Sequence, residues 1–218
     1  MTFLPQADRE VLERTLSGLA EPVRLVFFTQ TFGCEACAAT GRILAELASL
    51  SERIALEEHN LVLEKDLAAE YGIDRAPTVV VTREGGRRLT YVGAPAGYEF
   101  AALVEAVKLV SSGDSGLSEE NRARLEGVSR PMTIAVFVTP TCVYCPQAVT
   151  LAWRLAIENA NIRALAIEAS EFPDLARRYR VSGVPKTIVD DRIEIFGALP
   201  EDQFVDQVLQ EPDTPTAA

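Results

Sequence analysis

The chain holds four cysteines in two pairs of equal spacing: Cys34 and Cys37 in "TQTFGCEACAAT", and Cys142 and Cys145 in "TPTCVYCPQAVT". Thiols three residues apart can staple a fold, supply half of a metal's ligands, or open and close as a redox pair. A disulfide across so short a span restrains little of the unfolded chain, which makes it a weak staple. Zinc ribbons bring their two CxxC pairs much closer in sequence than Cys37 and Cys142, which are over a hundred residues apart. Reversible oxidation fits best. At a helix start, unpaired N–H groups and the helix dipole favour a thiolate, so Cys34 and Cys142 are the expected nucleophiles. Cys37 and Cys145, one turn inside, are expected to resolve the mixed disulfide.

An offset of 108 residues (142 − 34) lays Cys34 on Cys142 and Cys37 on Cys145. The same offset lays Tyr71 on Tyr179, Pro77 on Pro185, Leu47 on Leu155, Leu67 on Leu175 and Ile73 on Val181. A register held over more than forty residues predicts two copies of one fold. Each copy reads as a helix followed by β-α-β-α-β-β-α. The first opens with "ADREVLERTLSGL", whose Val11, Leu12, Leu16 and Leu19 share a face, and continues with the strand "VRLVFFT". In the helix after its CxxC, Ile43, Leu44, Leu47 and Leu50 fall on one side. The flexible-looking "SSGDSG" at 111–116, with Ser118 as a helix cap before Glu119 and Glu120, sets the expected boundary between units 1–114 and 115–218. The terminal "EPDTPTAA" is expected to fray.

With 218 residues, 48% of them hydrophobic, the chain can build a core without staples. A net charge of −11 repels phosphate backbones and anionic lipid, which excludes nucleic acid and membrane as favoured partners. The start has no basic, apolar leader and the apolar runs are too short to span a bilayer, so a soluble cytoplasmic protein is expected. No dinucleotide fingerprint is present, so no bound cofactor is expected.

Pro77 in "RAPTVVV" and Pro185 in "GVPKTIV" each open a strand, where proline costs no interior ladder bond. A strand, a CxxC at a helix start and a proline forty residues on resemble the thioredoxin fold. Two such units in tandem resemble the protein disulfide oxidoreductases of thermophilic bacteria and archaea, over residues 1 to about 210. The stretch "EASEFPDLARRYRVSGVPKTIV" is similar to that family's second unit. The resemblance implies an α/β fold of two tandem thioredoxin-like units, each a central mixed β-sheet flanked by helices. It also implies cis bonds at Pro77 and Pro185, with Ala76 and Val184 offering backbone N–H and C=O groups to an extended substrate segment. Cysteine-containing protein substrates and a thioredoxin-reductase-like flavoenzyme for recycling follow from the same likeness.

The two sites differ. Glu35 between the first pair opposes a Cys34 thiolate, whereas "CVYC" carries no charge and Tyr144 resembles the tyrosine of glutaredoxin's CPYC. Cys142 is therefore expected to react faster. Family members often carry an aromatic residue where Ala36 stands, and Pro146 restricts where hydrogen bonding begins in the second helix. Phe28 and Val136 occupy the positions of the buried carboxylate of thioredoxins. Glu168 is a candidate substitute, though a partly exposed strand-end acid is the plainer expectation. Lys186 is expected to be solvated and Trp153 to be a core aromatic. His59 is expected at the surface or a strand end, which leaves a cysteine-protease dyad poorly supported. Two rivals stand beside the redox reading. One is a glutathione-dependent glutaredoxin, against which Ala76 and Val184 replace the usual threonine and "DDRIEIFGALPE" lacks a glycine pair. The other is a non-enzymatic zinc module using all four thiols.

Overall fold

A computed structural model describes residues 4–210; the "EPDTPTAA" segment lies outside the described residues. The first half comprises α1 (Gln6–Leu16), β1 (Val23–Thr29), α2 (Cys37–Ala48), β2 (Ile54–Asn60), α3 (Lys65–Tyr71), β3 (Thr78–Thr82), β4 (Leu89–Val92) and α4 (Glu99–Ser112). The second repeats the order with α5 (Glu119–Glu126), β5 (Met132–Val138), α6 (Cys145–Glu158), β6 (Ile162–Glu168), α7 (Pro173–Arg178), β7 (Lys186–Val189), β8 (Ile193–Phe196) and α8 (Glu201–Val208). Ile43, Leu44, Leu47 and Leu50 are buried, as the helical spacing requires. On α1 the expected face is narrower: Leu16 and Leu19 are buried, but Val11 is exposed.

The expected pair of sheets is a single eight-stranded sheet in the order β2-β1-β3-β4-β6-β5-β7-β8. Its seam is the parallel pairing of β4 with β6, with Thr90, Tyr91 and Val92 opposite Leu165, Ala166 and Ile167. The sequence explains why β4 is inside and β8 at the edge. Every residue of β4, "LTYV", is buried, as in a strand covered on both faces. In β8, "IEIF", Glu194 and Phe196 are exposed, the alternation of an edge strand. Helix α4 packs on α6 above the seam, and one core runs from Leu16 through Leu103 and Ala106 to Trp153 and Phe204.

Strand directions place both CxxC pairs at one end of the sheet. β3 is antiparallel to β1 and to β4, and β4, β6 and β5 run parallel, so β1 and β5 point the same way.

The connector expected to be flexible is tied down. The Ser111 hydroxyl accepts from the Glu21 N–H (2.9 Å) and donates to the Glu21 carbonyl (2.7 Å). Ser115 donates to Glu158 (2.5 Å), and Arg154 Nε donates to the Ser115 carbonyl (2.7 Å). Ser118 accepts from the Asn121 N–H and caps α5.

Candidate functional site

Each cysteine pair is a disulfide, with 5.4 Å between Cα atoms in both cases. The first cysteine lies in the turn ahead of the helix and the second is the first helical residue, so the pair straddles the helix start. Cys37 and Cys145 are buried, whereas Cys34 and Cys142 are partly exposed. Only the first sulfur of each pair is thus open to an incoming sulfur. Ala36 and Tyr144, at the cap positions, supply no side-chain acceptor, which leaves first-turn N–H groups free to stabilise a thiolate. Pro146 removes one of those donors from α6.

Both the Ala76–Pro77 and Val184–Pro185 bonds are cis. β3 begins at Thr78 opposite Phe28, and β7 begins at Lys186 opposite Phe137. Each proline therefore lies beside the end of the strand that feeds its own CxxC. The N–H and C=O groups of Ala76 and Val184 have no hydrogen-bond partner among the described residues. The prolines themselves are held, since Pro77 O accepts from Gly93 N (2.8 Å) and Pro185 O from Gly197 N (2.9 Å). Equivalent positions brace the two loops: Thr78 Oγ1 donates to Arg75 O (2.8 Å), and Lys186 Nζ to Tyr179 O (2.7 Å). Lys186 is buried and pairs with Glu194 at 3.0 Å, contrary to the solvated lysine expected. Its aliphatic stem fits the core while its ammonium reaches carbonyls beyond the end of α7.

The protein disulfide oxidoreductase of Aeropyrum pernix superposes with a TM-score of 0.86 and 32% identity, covering 94% of this chain and 91% of that one. The chain belongs to this thioredoxin-like disulfide oxidoreductase family. The NTD_N/C domain of alkylhydroperoxide reductase AhpF from Enterococcus faecalis superposes equally well, with a TM-score of 0.87, 27% identity, and coverage of 94% and 100%. The AhpF-type alkyl hydroperoxide reductase of Pseudomonas aeruginosa is 28% identical over 145 residues, and the matched part spans 27% of its length. The thioredoxin-domain family profile matches residues 132–210. Dithiol–disulfide exchange at two CxxC pairs is the activity this oxidoreductase is built for. The four thiols do not converge on one zinc ion: β1 and β5 stand four places apart in the sheet, about 19 Å at the usual strand spacing.

The surroundings of the two pairs differ. At the first site the oxidoreductase has an open groove of 730 Å³ lined by Cys34, Cys37, Gly41, Arg42 and Glu58, among others. Arg42 and Glu58 have no ion-pair or hydrogen-bond partner among the described residues. His59 stays a strand-end residue, bonded through Nδ1 to Glu64 at 2.8 Å.

At the second site the corresponding space is closed by β4 and α4 of the first half. The Tyr98 N–H donates to Pro140 O (3.0 Å), two residues ahead of Cys142. The next residue, Glu99, is fully buried, and neither carboxyl oxygen has a hydrogen-bond partner. Burial, with the Glu168 charge second, pushes its pKa up to about 8. The Tyr91 hydroxyl is also buried without a partner, and burial first, then Glu99, raises its pKa. Glu168 is buried, which corrects the expectation of a partly exposed acid. It accepts from Ser170 Oγ (2.8 Å) and from Glu171 N (2.5 Å). Glu171 in turn accepts from Ala94 N (2.8 Å), and burial raises its pKa. Glu99 is the residue that sequence reasoning missed. Aligning "YEFAALVEAV" with "EDQFVDQVLQ" on Phe100 and Phe204 sets Glu99 against Gln203, a difference that would have flagged it.

Proposed function

We propose that the chain exchanges disulfides with cysteine-containing protein segments, with Cys142 as the main nucleophile and Cys145 as its resolving partner. Cys34 and Cys37 form a second site of the same kind for a different partner, and the units meet at the 114/115 boundary. An extended segment pairs with the free N–H and C=O of Val184 or Ala76, while Pro185 or Pro77 and Tyr144 line its path. These unpartnered backbone groups beside a half-exposed sulfur carry the reading.

In the reducing direction the Cys142 thiolate attacks one sulfur of the substrate disulfide and expels the other as a thiolate. Cys145 then gives up its proton and attacks Cys142 Sγ. That forms the Cys142–Cys145 disulfide and releases the second substrate sulfur, so two electrons pass to the substrate. Glu99, buried at the head of α4, accepts the Cys145 proton when ionised and returns it in the oxidising direction. Recycling draws two electrons from a thioredoxin-reductase-like flavoenzyme. The likeness to the AhpF alkyl hydroperoxide reductases supports service to a peroxide-reducing partner as well.

No helix among the described residues is long and apolar enough to cross a membrane, and the acidic chain suits a cytoplasmic location. Insulin reduction during a redox titration of wild type, Cys34→Ser and Cys142→Ser tests the assignment. Loss of most turnover in Cys142→Ser is expected; equal turnover in wild type and Cys142→Ser would sink it. Turnover that requires glutathione would instead favour the glutaredoxin alternative.

A further inference from the structure

The helices behind the two cysteine pairs differ in bulk. The 108-residue offset sets Ala38, Gly41 and Ala45 of α2 against Pro146, Val149 and Trp153 of α6. Val149 and Trp153 are buried in the core that α4 and α6 share. The three small residues of α2 instead line the 730 Å³ groove, beside the sulfurs of Cys34 and Cys37. Its floor is close, since a Cβ on Gly41 would meet the Phe27 ring at 3.4 Å. A concave space of this size suits a small molecule.

Two opposite charges face that space from different walls. Arg42 lies on α2, and Glu58 lies on the edge strand β2 opposite Phe27. Both are exposed, and neither reaches the other or any further partner among the described residues. The second acid of the groove, Glu64, is already engaged, accepting from Asn60 N (2.8 Å) and bonded to His59 Nδ1 (2.8 Å). A ligand with an ammonium and a carboxylate a few atoms apart answers both free charges. In a disulfide of a cysteine-like amino acid, these groups sit on the carbon next to the one that bears the sulfur. Anchoring them therefore brings that sulfur to the cysteines lining the same groove. Within a polypeptide both groups are consumed in peptide bonds, so a protein cysteine cannot make this pair of contacts.

We propose that the first site takes small disulfides of cysteine-like amino acids, with Arg42 holding the carboxylate and Glu58 the ammonium. This rests on the reading that Cys34 and Cys37 exchange disulfides, and it gives their partner a chemical class. The Cys34 thiolate attacks one sulfur of the bound disulfide and expels the first aminothiol as a thiolate. Cys37 then attacks Cys34 Sγ, passes its proton to the departing sulfur and releases the second aminothiol. One protein dithiol is oxidised and one small disulfide reduced, with two electrons transferred.

The test uses the reduced full chain carrying Cys142→Ser and Cys145→Ser, so that only the first pair reacts. Single-turnover rates with cystine and with hydroxyethyl disulfide are each divided by that disulfide's rate with dithiothreitol, which removes differences in sulfur reactivity. Both disulfides are neutral overall, so the net charge of −11 does not separate them. On this scale cystine is expected to react about ten-fold faster. Arg42→Gln and Glu58→Gln should each slow cystine about five-fold and leave hydroxyethyl disulfide within about two-fold. Cystamine, which lacks the carboxylate, should lose rate only in Glu58→Gln, and dithiodipropionate, which lacks the ammonium, only in Arg42→Gln. Equal scaled rates for cystine and hydroxyethyl disulfide, or cystine unaffected by both substitutions, would overturn the site. An equal fall on both disulfides would also overturn it, because Arg42 or Glu58 would then act on the Cys34 thiolate alone. No oxidation of Cys34 and Cys37 by any disulfide would remove the underlying reading and the site with it.

Discussion

Replacing Glu99 by Gln tests whether its carboxyl is held neutral by the surrounding protein. The side chain is fully buried without a hydrogen bond, and its pKa stands at about 8 against 4.5 in the unfolded chain. Because the folded value is the higher, the folded protein keeps a proton that the unfolded chain has released throughout that window. The contribution is fully present below the unfolded pKa and is lost as pH rises through the folded one, at about 1.4 kcal/mol per pH unit. Gln matches the neutral carboxyl in shape and has no proton to lose. Between about pH 5.5 and about pH 7.5 the wild type should therefore lose on the order of 2 kcal/mol relative to Glu99→Gln. Urea unfolding of both oxidised proteins at several pH values reads this directly, since Glu168 and Glu171 are common to the two. Parallel stability curves would refute the reasoning, because they would mean that Glu99 titrates as an ordinary solvated acid.

Gly97→Ala should cost about 2 kcal/mol or more, because the left-handed backbone and the collision with Pro140 O both penalise a Cβ. Thermal unfolding measures that cost, and alkylation of each site should show Cys142 perturbed and Cys34 spared. Lys186→Met is expected to destabilise by roughly 2 kcal/mol, since the Tyr179 carbonyl loses its donor while Glu194 can turn to water. A loss of no more than a few tenths of a kcal/mol would show that the ammonium does not brace the loop. In the reduced chain Cys142 should be alkylated faster than Cys34 near neutral pH, because Glu35 lies beside Cys34 alone. The opposite order, measured by site-resolved mass spectrometry, would rule out that role for Glu35.

The 108-residue register made the element order and both cysteine–proline constellations legible in the sequence, because each is local or repeats. What escaped depends on contacts between the copies. The β4–β6 seam fuses the sheets, yet its only trace in sequence is that "LTYV" carries no charge where "IEIF" alternates. Glu168 reads as a solvent-facing strand end until the β4–α4 segment covers it, and Glu99 reads as an ordinary acid in a helix's first turn. Lys186 reads as solvated because its burial depends on where the ammonium finds carbonyls, and the end of α7 comes close only after folding. In each case the missing information was the partner's position, which no local pattern encodes.

Because the reactive sulfurs top two like-directed strands with β3, β4 and β6 between them, neither disulfide can hand its electrons straight to the other. Traffic between them needs a courier: a client chain bonded first at one end and then at the other, or a carrier that visits both. A stretch of about six extended residues would bridge that span. A client with two cysteines at such a separation could be gripped at both ends simultaneously, which would turn a pair of independent exchange centres into a ruler for cysteine spacing.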